Sequence, residues 1–557
     1  MNPIDAYARR VVRGRLPAGK YHRLAAERHL RDRQRERTEP AAFPYRFDYR
    51  RAQRFVRFAE LLRHYKGEWA GQRIRLEPHQ VFYLGSLFAW VHRDTGLRRF
   101  RTLYCEIPRK NGKSLVAALV ALYVTFFDGE PGAEGYCIAT KREQAKIVFN
   151  DCRQLVIESG LRSRITVFAV NLHRHTSASK LEPLGADRDS TDGLNPLVVV
   201  IDEAHAMKHR GLIDVMETAV GARRQPVILW ITTAGGDAVT PCGDQHHYAG
   251  QVLEGVLTDE SLLAFIAHAD ADDDWTQEAT WRKANPNYGV SVKPDDMRAL
   301  VTKAIHMPSA AAAFKQKRLN LWGGAASPWL SLDGWRRGQS VWTWESLRGE
   351  PCWIGVDMSS KIDLTAVVAV FPPRDGRPAW RLLAWTLTPA DTLEERAHRD
   401  RAPYLTWLAE GHLHTNPGNR IDQDDVRALV ALAADRFDVR QVGIDPWNAG
   451  NLVNDLAADG LQVVEIPQTM QQMSGPSKDF EADVLDALVD AGHNPLMAWC
   501  VSNVVVQRDG KDNIYPVKKR SRGRIDPVIA TLMARKLAAA DLSEVPADDP
   551  QLLMFGM

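Results

Sequence analysis

Five short runs of apolar, β-prone residues divide the stretch between residues 76 and 265, and helical sequence separates them. Strands of a parallel sheet that is covered on both faces have this composition, because neither face meets water. Strands that alternate with helices predict an α/β fold. We therefore predict an α/β domain with a mostly parallel sheet here. The five runs are RTLYCEI, EGYCIAT, SRITVFAV, PLVVVID and PVILWITT.

The pattern changes after GGAASP (323–328), which has the small-residue and proline composition of a hinge. CWIGVDM, LTAVVAVF and AWRLLAWTL then follow closely on one another, which favours antiparallel strands joined by turns. Helices next alternate with RQVGID and LQVVEIP, so a mixed sheet is predicted. A chain of 557 residues is too long for one core. We expect a helical segment at 1–75, the α/β domain at 76–322, a linker at 323–330, the mixed-sheet domain at 331–545 and a tail at 546–557.

Charge is distributed unevenly along the chain. The net charge is only +3, but residues 1–50 hold 12 Arg and 1 Lys against 6 acidic residues. A basic arm can steer a protein toward polyanions. The same residues also suit a solvated helix, and the sequence leaves both interpretations open.

Cysteine usage and hydropathy restrict the protein class. The six cysteines are scattered without a C-x-x-C pair, which argues against a zinc site and a disulfide framework and fits a reducing cytosol. No run approaches the roughly 20 apolar residues that cross a bilayer. The N-terminus lacks the apolar core of a signal peptide. We expect no membrane partner.

The segment PRKNGKS joins the run RTLYCEI to the helical stretch SLVAALVALYVTFF. A loop between a strand and a helix is the setting of a phosphate-binding loop, where backbone N–H groups face the phosphates. Asn111, Gly112, Lys113 and Ser114 complete the second half of that pattern, although Ile107 replaces its first glycine. Lys113 would reach the β- and γ-phosphates, and Ser114 would bind Mg²⁺.

A second apolar run, PLVVVIDEAH, ends in Asp202 and Glu203. In the same domain as a phosphate loop, such a run is typical of an ATPase. Asp202 would hold Mg²⁺ and Glu203 would polarise the attacking water.

Two weaker features accompany these motifs. Thr232 and Thr233 end the run ILWITTAG, where they could sense the γ-phosphate or merely end a strand. Gln80 precedes a helix and could pair with an adenine edge, as in helicase-type ATPases, or have no such role.

Taken together, Gln80, PRKNGKS, VVVIDEAH and ITTAG resemble the large terminase subunit of tailed double-stranded-DNA bacteriophages, a DNA-packaging ATPase and nuclease. The resemblance covers roughly residues 70–540. It implies an N-terminal P-loop ATPase domain of the RecA/ASCE type. It also implies that Arg109, four residues before Lys113 in a loop that lacks the first glycine, is an arginine finger or γ-phosphate sensor. A fixed guanidinium would stabilise charge on the transferring phosphoryl group.

Three acidic residues stand at conspicuous places in the C-terminal half. Asp357 interrupts an apolar strand, Asp445 ends the run QVGID, and Asp526 precedes a helix that begins at about Pro527. Acids that converge at one end of a mixed sheet suit phosphodiester cleavage with two Mg²⁺ or Mn²⁺ ions. Taken singly, Asp526 could be a helix cap and Asp445 a turn residue. The resemblance implies a ribonuclease-H-like nuclease in which all three acids are metal ligands, with Asp363 as a possible fourth acid.

A basic stretch, VKKRSRGR, leads into Asp526. We expect it to contact DNA phosphates, although charge on an exposed hairpin edge would also explain it. Its basic residues are Lys518, Lys519, Arg520, Arg522 and Arg524.

These features predict a viral DNA-packaging motor subunit that hydrolyses ATP to translocate double-stranded DNA and cuts concatemers with a metal-dependent endonuclease. The resemblance implies the small terminase subunit, the portal protein of the procapsid and a homo-oligomeric ring as partners. It places the protein in the cytoplasm of the infected bacterial host and not in the mature virion. Two alternatives are a DEAH-type helicase, since residues 202–205 spell that motif, and an ATP-driven scaffold with an inactive nuclease.

Overall fold

The computed structural model of the protein describes residues 2–544, except for 186–192, 237–239, 324–328, 331, 359–363, 401, 510–511, 519–520 and 522. Most of the predicted linker, Asp363, Lys519, Arg520, Arg522 and the tail at 546–557 lie outside the described residues. The chain separates into two compact units, Met1–Gly324 and Ala325–Met557. No helix in the described part of either unit is long and apolar enough to cross a membrane.

The first unit combines an extended central sheet with helices packed on it. Its strands are β1 (Tyr45–Phe47), β2 (Trp90–His92), β3 (Thr102–Glu106), β4 (Glu134–Ala139), β5 (Thr166–Val167), β6 (Leu172–Arg174), β7 (Ser179–Gly185), β8 (Pro196–Asp202), β9 (Val227–Thr232) and β10 (Leu262–Ile266). Its helices are α1 (Pro3–Val12), α2 (Lys20–Thr38), α3 (Tyr49–Leu61), α4 (Pro78–Ala89), α5 (Lys113–Phe126), α6 (Arg142–Glu158), α7 (Gly211–Ala219), α8 (Pro241–Leu253), α9 (Glu278–Ala284), α10 (Pro294–His306) and α11 (Pro308–Leu319).

The central sheet has the order β10-β3-β9-β8-β4-β7-β6-β5. The strands from β10 to β7 are parallel, and every residue of β8, β9 and β10 is buried. This burial explains why their sequences are continuously apolar. Because β3, β9 and β8 are neighbours and run in the same direction, their carboxyl ends meet at one edge of the sheet. The predicted mostly parallel sheet is confirmed.

One predicted strand, SRITVFAV, is not a buried parallel strand. Only Thr166–Val167 are extended, and they pair antiparallel with β6 at the edge of the sheet. Phe168 and Val170, which complete the apolar run, are exposed. A short apolar run does not reveal whether tertiary packing will cover it. This run lies at the edge of the sheet, where Phe168 and Val170 remain exposed.

The N-terminal helices belong to the first unit. Ile4 and Val11 of α1 lie in its main hydrophobic core, next to α4. The backbone N–H of Lys20 donates to Asp270, and the Arg28 guanidinium donates to the Leu262 carbonyl at 2.8 Å. Thus α2 is not a solvated helix, and the Arg28 guanidinium of this basic segment forms hydrogen bonds within the unit.

Arg99 is the centre of this N-terminal packing. Its fully buried guanidinium pairs with Asp32 of α2 at 2.9 Å and with Glu260 just before β10. Aromatic rings surround it, with centroids 4.7–5.2 Å from the guanidinium carbon, and they belong to Phe43, Tyr45, Trp90 and Phe100. A buried cation with two carboxylates and several rings is well compensated, and this cluster attaches α2 to the sheet.

The second unit contains a mixed sheet. Its strands, together with a small separate hairpin, are β11 (Pro351–Asp357), β12 (Thr365–Phe371), β13 (Trp380–Pro389), β14 (His414–Asn416), β15 (Asp438–Ile444), β16 (Val463–Glu465), β17 (Val489–Asp490), β18 (Val506–Arg508) and β19 (Ile514–Pro516). Its helices are α12 (Leu332–Arg337), α13 (Leu393–Asp400), α14 (Tyr404–Ala409), α15 (Gln423–Arg436), α16 (Leu452–Ala458), α17 (Met470–Leu485), α18 (Pro495–Asn503) and α19 (Asp526–Glu544).

The sheet of the second unit has the order β14-β13-β12-β11-β15-β16, with β17 also paired to β13. The first three strands along the chain are antiparallel, whereas β15 lies parallel beside β11. This topology confirms the predicted mixed sheet. A DEAH-type helicase would need a second parallel RecA-like sheet here, so the topology argues against that alternative.

Helix α19 packs closely on β11 and β12. At Gly355 a Cβ atom would lie 1.9 Å from the carbonyl oxygen of Ala530, so only glycine permits this approach. The close packing brings the start of α19 to the strand that ends in Asp357.

Candidate functional sites

The phosphate loop lies between β3 and α5. Its backbone turns at Lys110 (φ 73°) and at Gly112 (φ 82°), which caps the N-terminus of α5. Both values lie in the left-handed region, where glycine has no steric penalty. A Cβ at Gly112 would lie 3.0 Å from Nε2 of Gln80, so the Gln80 side chain borders the loop.

Gln80 has a structural role as well. Its Oε1 accepts the backbone N–H of Glu77 at 3.0 Å and completes a capping box at the start of α4. Its amide nitrogen faces Gly112. Gln80 therefore keeps one end of its side chain next to the loop while the other end stabilises the helix.

Lys113 is a buried ammonium group. It is 8% exposed, and its Nζ has no hydrogen-bond partner among the residues that the structure describes. The nearest carboxylate oxygen described for it is Oε1 of Glu203, 3.8 Å away. Burial lowers the pKa of Lys113, and the charges of Glu203 and Asp202 oppose that shift. An unsatisfied buried cation at a helix N-terminus fits a phosphate group.

Asp202 ends strand β8, which β9 separates from β3, and Glu203 follows it. Asp202 accepts the backbone N–H of Glu203 at 3.0 Å, and burial together with Glu203 raises its pKa to about 6. Glu203 has a φ of 48°. Burial alone would raise the pKa of Glu203, but the adjacent His205 ring and the charge of Lys113 lower it to about 2. Glu203 is thus a carboxylate at neutral pH, as a general base requires.

His205 is a site residue to which the sequence patterns assigned no role. Its Nδ1 lies 3.0 Å from Oε2 of Glu203, 3.1 Å from Oγ1 of Thr232 and 3.4 Å from Oγ1 of Thr233. The two threonines end β9, between β3 and β8. One imidazole therefore connects the carboxylate of β8 with both hydroxyl groups of β9. The motif D-E-A-H contained this residue, but its contacts depend on the order of the strands.

Asn111 braces the loop through its side chain. Its Nδ2 donates to the Pro108 carbonyl and to Oδ1 of Asn285 at 2.9 Å, and its Oδ1 accepts the N–H of Asn287. The structure thus adds Asn285 and Asn287 to the site. Arg109 is exposed, its backbone N–H donates to the Lys317 carbonyl, and its charge contributes to lowering the pKa of Glu203.

A buried carboxylate lies directly before the loop. Glu106 is fully buried at the end of β3, and its oxygens accept hydrogen bonds from Tyr104, from Asn320 at 3.1 Å and from Trp322 at 3.2 Å. Asn320 also accepts the N–H of Ala234, after β9, at 2.7 Å. Asn320 and Trp322, near the end of the first unit, are therefore hydrogen-bonded to the end of β3, and Asn320 also to the segment after β9.

Two of the three acids in the second unit follow from the sheet register. Val356 of β11 is paired with Ile444 of β15, so Asp357 and Asp445 come next at the same edge. Asp526 is the first residue of α19, which packs on β11. Asp357 and Asp526 are each 1% exposed, whereas Asp445 is half-buried and accepts the N–H of Trp447.

The Lys518 ammonium lies between Asp357 and Asp526. Its Nζ is 2.7 Å from Oδ2 of Asp357 and 2.8 Å from Oδ1 of Asp526. Burial, reinforced by Asp526, raises the pKa of Asp357 to about 6. The two carboxylates raise the pKa of Lys518 above its ordinary value, although burial opposes this shift.

The side-chain arrangement bears directly on metal binding. In the described part of the chain, no three His, Cys, Asp or Glu side chains are grouped closely enough to hold a metal ion. Two buried carboxylates nevertheless face a single cation position, and carboxylate oxygens are the ligands that Mg²⁺ and Mn²⁺ prefer. The donor set fits a divalent cation at the place of the Lys518 ammonium.

The predicted DNA-contacting residues that the structure describes have acidic partners. Lys518 contacts the two aspartates, and the Arg524 guanidinium donates to both carboxylate oxygens of Asp400 at 3.0 Å. Charge on an exposed hairpin edge therefore does not fully explain these residues, because Lys518 and Arg524 form ion pairs within the unit.

Comparison with known proteins gives matches over both units. The family described as terminase large subunit, ATPase domain, matches residues 78–251, and the family described as terminase large subunit, endonuclease domain, matches residues 256–541. The protein YmfN of Escherichia coli K12 is 32% identical over 376 residues, which cover 64% of this chain and 82% of YmfN.

A phage protein matches over a longer stretch. The terminase large subunit of Enterobacteria phage HK97 is 29% identical over 506 residues, which cover 87% of this chain and 94% of the phage protein. The crystal structure of the HK97 bacteriophage large terminase superposes with a TM-score of 0.51 and 27% identity, covering 87% of this chain and 99% of that one.

Proposed function

This chain belongs to the terminase large subunit family, and we propose that the two clusters of residues described above carry the two activities of that family. The protein is an ATPase and an endonuclease that packages bacteriophage DNA. It uses a nucleotide and divalent metal ions. The ATPase cluster lies at the carboxyl ends of β3, β8 and β9, and the nuclease cluster lies around Asp357.

At the ATPase site, Lys113 and the loop N–H groups hold the β- and γ-phosphates of ATP. The buried Lys113 ammonium, which donates no hydrogen bond to any residue that the structure describes, is the observation that carries this assignment. Glu203 takes the proton of the attacking water, and His205 keeps its carboxylate ionised and oriented. Arg109 stabilises charge on the transferred phosphoryl group.

The remaining ATP-site roles belong to the same proposal. Asn111 and Gly112 hold the shape of the loop, and Gln80, whose Oε1 caps α4, would offer its amide nitrogen to the adenine edge. Thr232 and Thr233 respond to loss of the γ-phosphate through their contacts with His205. Ser114 and Asp202 would hold Mg²⁺, which would neutralise phosphate charge there.

At the nuclease site, Asp357, Asp445 and Asp526 would hold Mg²⁺ or Mn²⁺, which would supply activation of water and stabilisation of the leaving oxygen. Burial of Asp357 and Asp526 excludes bulk water from their side of the site and strengthens their interaction with a cation. The basic residues from Lys518 to Arg524 lie just before Asp526 in sequence and would approach the phosphates of the cut strand.

The wider assembly is part of the same proposal. A homo-oligomeric ring of this chain, the small terminase subunit and the portal protein of the procapsid would act together on double-stranded DNA. This assembly would package DNA in the cytoplasm of the infected bacterial host.

One variant at each site, made in the full chain, tests whether ATP hydrolysis and DNA cleavage belong to separate sites. Lys113→Ala removes the phosphate-binding cation, so ATP turnover should fall about a hundredfold or more, while plasmid cleavage with Mg²⁺ or Mn²⁺ persists. Asp357→Ala should abolish cleavage and preserve ATP turnover. Both rates are measured on the same preparations. ATP hydrolysis at the parental rate in Lys113→Ala would show that the nucleotide site is assigned wrongly. Plasmid cleavage by Asp357→Ala would show that the nuclease site is assigned wrongly.

A further inference from the structure

Lys518 holds the position that a metal ion needs. Its ammonium is 2.7 Å and 2.8 Å from oxygens of Asp357 and Asp526, and both aspartates are almost fully buried. The other oxygen of Asp357 accepts a hydrogen bond from Gln468 at 2.9 Å. An ammonium ion and a divalent cation cannot both lie between the same two carboxylate oxygens. Metal binding there therefore requires Lys518 to move.

The two carboxylates also need a cation in order to stay charged together. Buried like charges repel strongly, because little water screens them. Lys518 supplies the compensating charge from within the chain. Its side chain is 31% exposed, and the residue lies two positions after the end of β19, so its ammonium group can reach solvent without a change in the strand.

We propose that Lys518 is a resident counter-ion of the nuclease site, which competes with the metal and is drawn away by a DNA phosphate. This inference rests on the proposed nuclease site. A lysine ammonium binds phosphate as readily as carboxylate and keeps its charge in either place. DNA would then remove the competitor, and metal loading would be coupled to the presence of the substrate. Without DNA, the Lys518 ammonium would stay between the two aspartates, and the site would bind metal weakly.

Metal binding without turnover provides the direct test. Isothermal titration calorimetry with Mn²⁺ is performed on the full chain, with and without a short duplex whose phosphorothioate linkages resist cleavage. The part of the Mn²⁺ binding that Asp357→Asn removes defines the nuclease site. Lys518→Gln should bind Mn²⁺ at this site about tenfold more tightly than the parent protein without DNA, and DNA should add little further. In the parent protein, the duplex should tighten Mn²⁺ binding by a similar factor.

Lys478→Gln is the matched control, because it removes one exposed lysine charge from α17 of the same unit. It should bind Mn²⁺ like the parent protein. Equal or weaker Mn²⁺ binding by Lys518→Gln would overturn the counter-ion role. If that variant does not fold, the parent protein decides the question, since an unchanged Mn²⁺ affinity on addition of the duplex is incompatible with the proposal. If Asp357→Asn removed none of the Mn²⁺ binding, the nuclease-site assignment itself would be contradicted.

Discussion

His205 shows how much a single side chain contributes to the ATPase site. It contacts Glu203, Thr232 and Thr233, yet it does not lie on the phosphate loop. We predict that His205→Ala lowers the kcat of ATP hydrolysis about tenfold to a hundredfold, because residues that orient functional groups typically contribute this much. The affinity for a nucleotide should change little, since Lys113 and the loop remain. Steady-state kinetics and nucleotide titration separate the two effects.

His205→Asn should restore part of the rate if orientation of Glu203 is the cause, since an amide can still donate to the carboxylate. A loss of nucleotide affinity in His205→Ala equal to the loss of rate would assign His205 to binding instead.

Gly355 is the second single residue with a large expected effect. Alanine there would place its Cβ 1.9 Å from a backbone carbonyl of α19, and neither element can yield easily. We predict that Gly355→Ala lowers the free energy of unfolding of the second unit by about 3 kcal/mol, as overpacking does. Urea denaturation of the full chain measures this.

Ala434→Ser provides the comparison within the same unit. Ala434 is exposed on α15, so the added hydroxyl group meets solvent and no backbone carbonyl. The lower helix propensity of serine should cost only about 0.5 kcal/mol. Similar denaturation midpoints for the two variants would show that α19 does not pack on β11 this closely.

The residues of the site differ in how far sequence alone could identify them. Asp202, Asp357 and Asp445 end apolar strands, and such an interruption of a hydrophobic run is visible locally. Asn285 and Glu106 have no such signal. Asn285 contacts Asn111 across 174 positions, and Glu106 contacts Asn320 across 214 positions. Only the folded chain brings these partners together.

At the level of elements, buried histidines join α2 and α4 to the strand β10. The ring of His22 lies 3.0 Å from the Tyr7 hydroxyl and packs on Phe265, which His79 also contacts. Burial lowers the pKa of His22 and of His79 to about 3, and the neighbouring His268 adds to the effect on His22. These rings are neutral in the folded protein at every moderate pH.

The consequence is a defined dependence of stability on pH. In the unfolded chain these histidines have pKa values near 6.5. The unfolded chain therefore binds more protons than the folded chain between about pH 6.5 and 3. Stability is therefore retained above pH 6.5 and lost as the pH falls. We expect a loss of about 2 kcal/mol for each histidine at about pH 5. Urea unfolding of the first unit at neutral pH and at about pH 5 measures this.

His79→Leu should reduce this loss, because one buried ionisable group disappears. His306→Leu, at the exposed end of α10, should leave it unchanged. If the parent protein and His79→Leu lose equal stability on acidification, His79 is not buried as a neutral ring.

The elements themselves were predictable where hydrophobic burial alone defines them. Every residue of β8, β9 and β12 is buried, and each corresponds to an uninterrupted apolar run. The run SRITVFAV was misassigned because an edge strand and a buried strand can have the same composition. Sheet order was not predictable, since it depends on which strands find each other over long distances.

For the whole molecule, the first 38 residues determine whether the first unit is stable. Removing α1 and α2 would uncover the core next to α4 and leave Arg99 without Asp32. Each large apolar side chain that is buried contributes about 1.5–3 kcal/mol, while a domain is stable by only about 5–15 kcal/mol. We predict that a chain starting at Glu39 loses the thermal transition of the first unit together with ATP turnover. Differential scanning calorimetry measures this, and an unchanged transition would mean that the two helices are dispensable.

The contacts of α2 also determine when the first unit can fold during synthesis. The Lys20 backbone donates to a residue 250 positions further along the chain, and Arg28 donates to one 234 positions further. A ribosome that adds about 5–20 residues per second needs about 10–50 s to make that stretch. Throughout that time, α2 has left the exit tunnel, but its partners at and near β10 have not been made. The face of α2 that meets β10 is thus among the last surfaces of the unit to be buried, and during this interval chaperones have access to it.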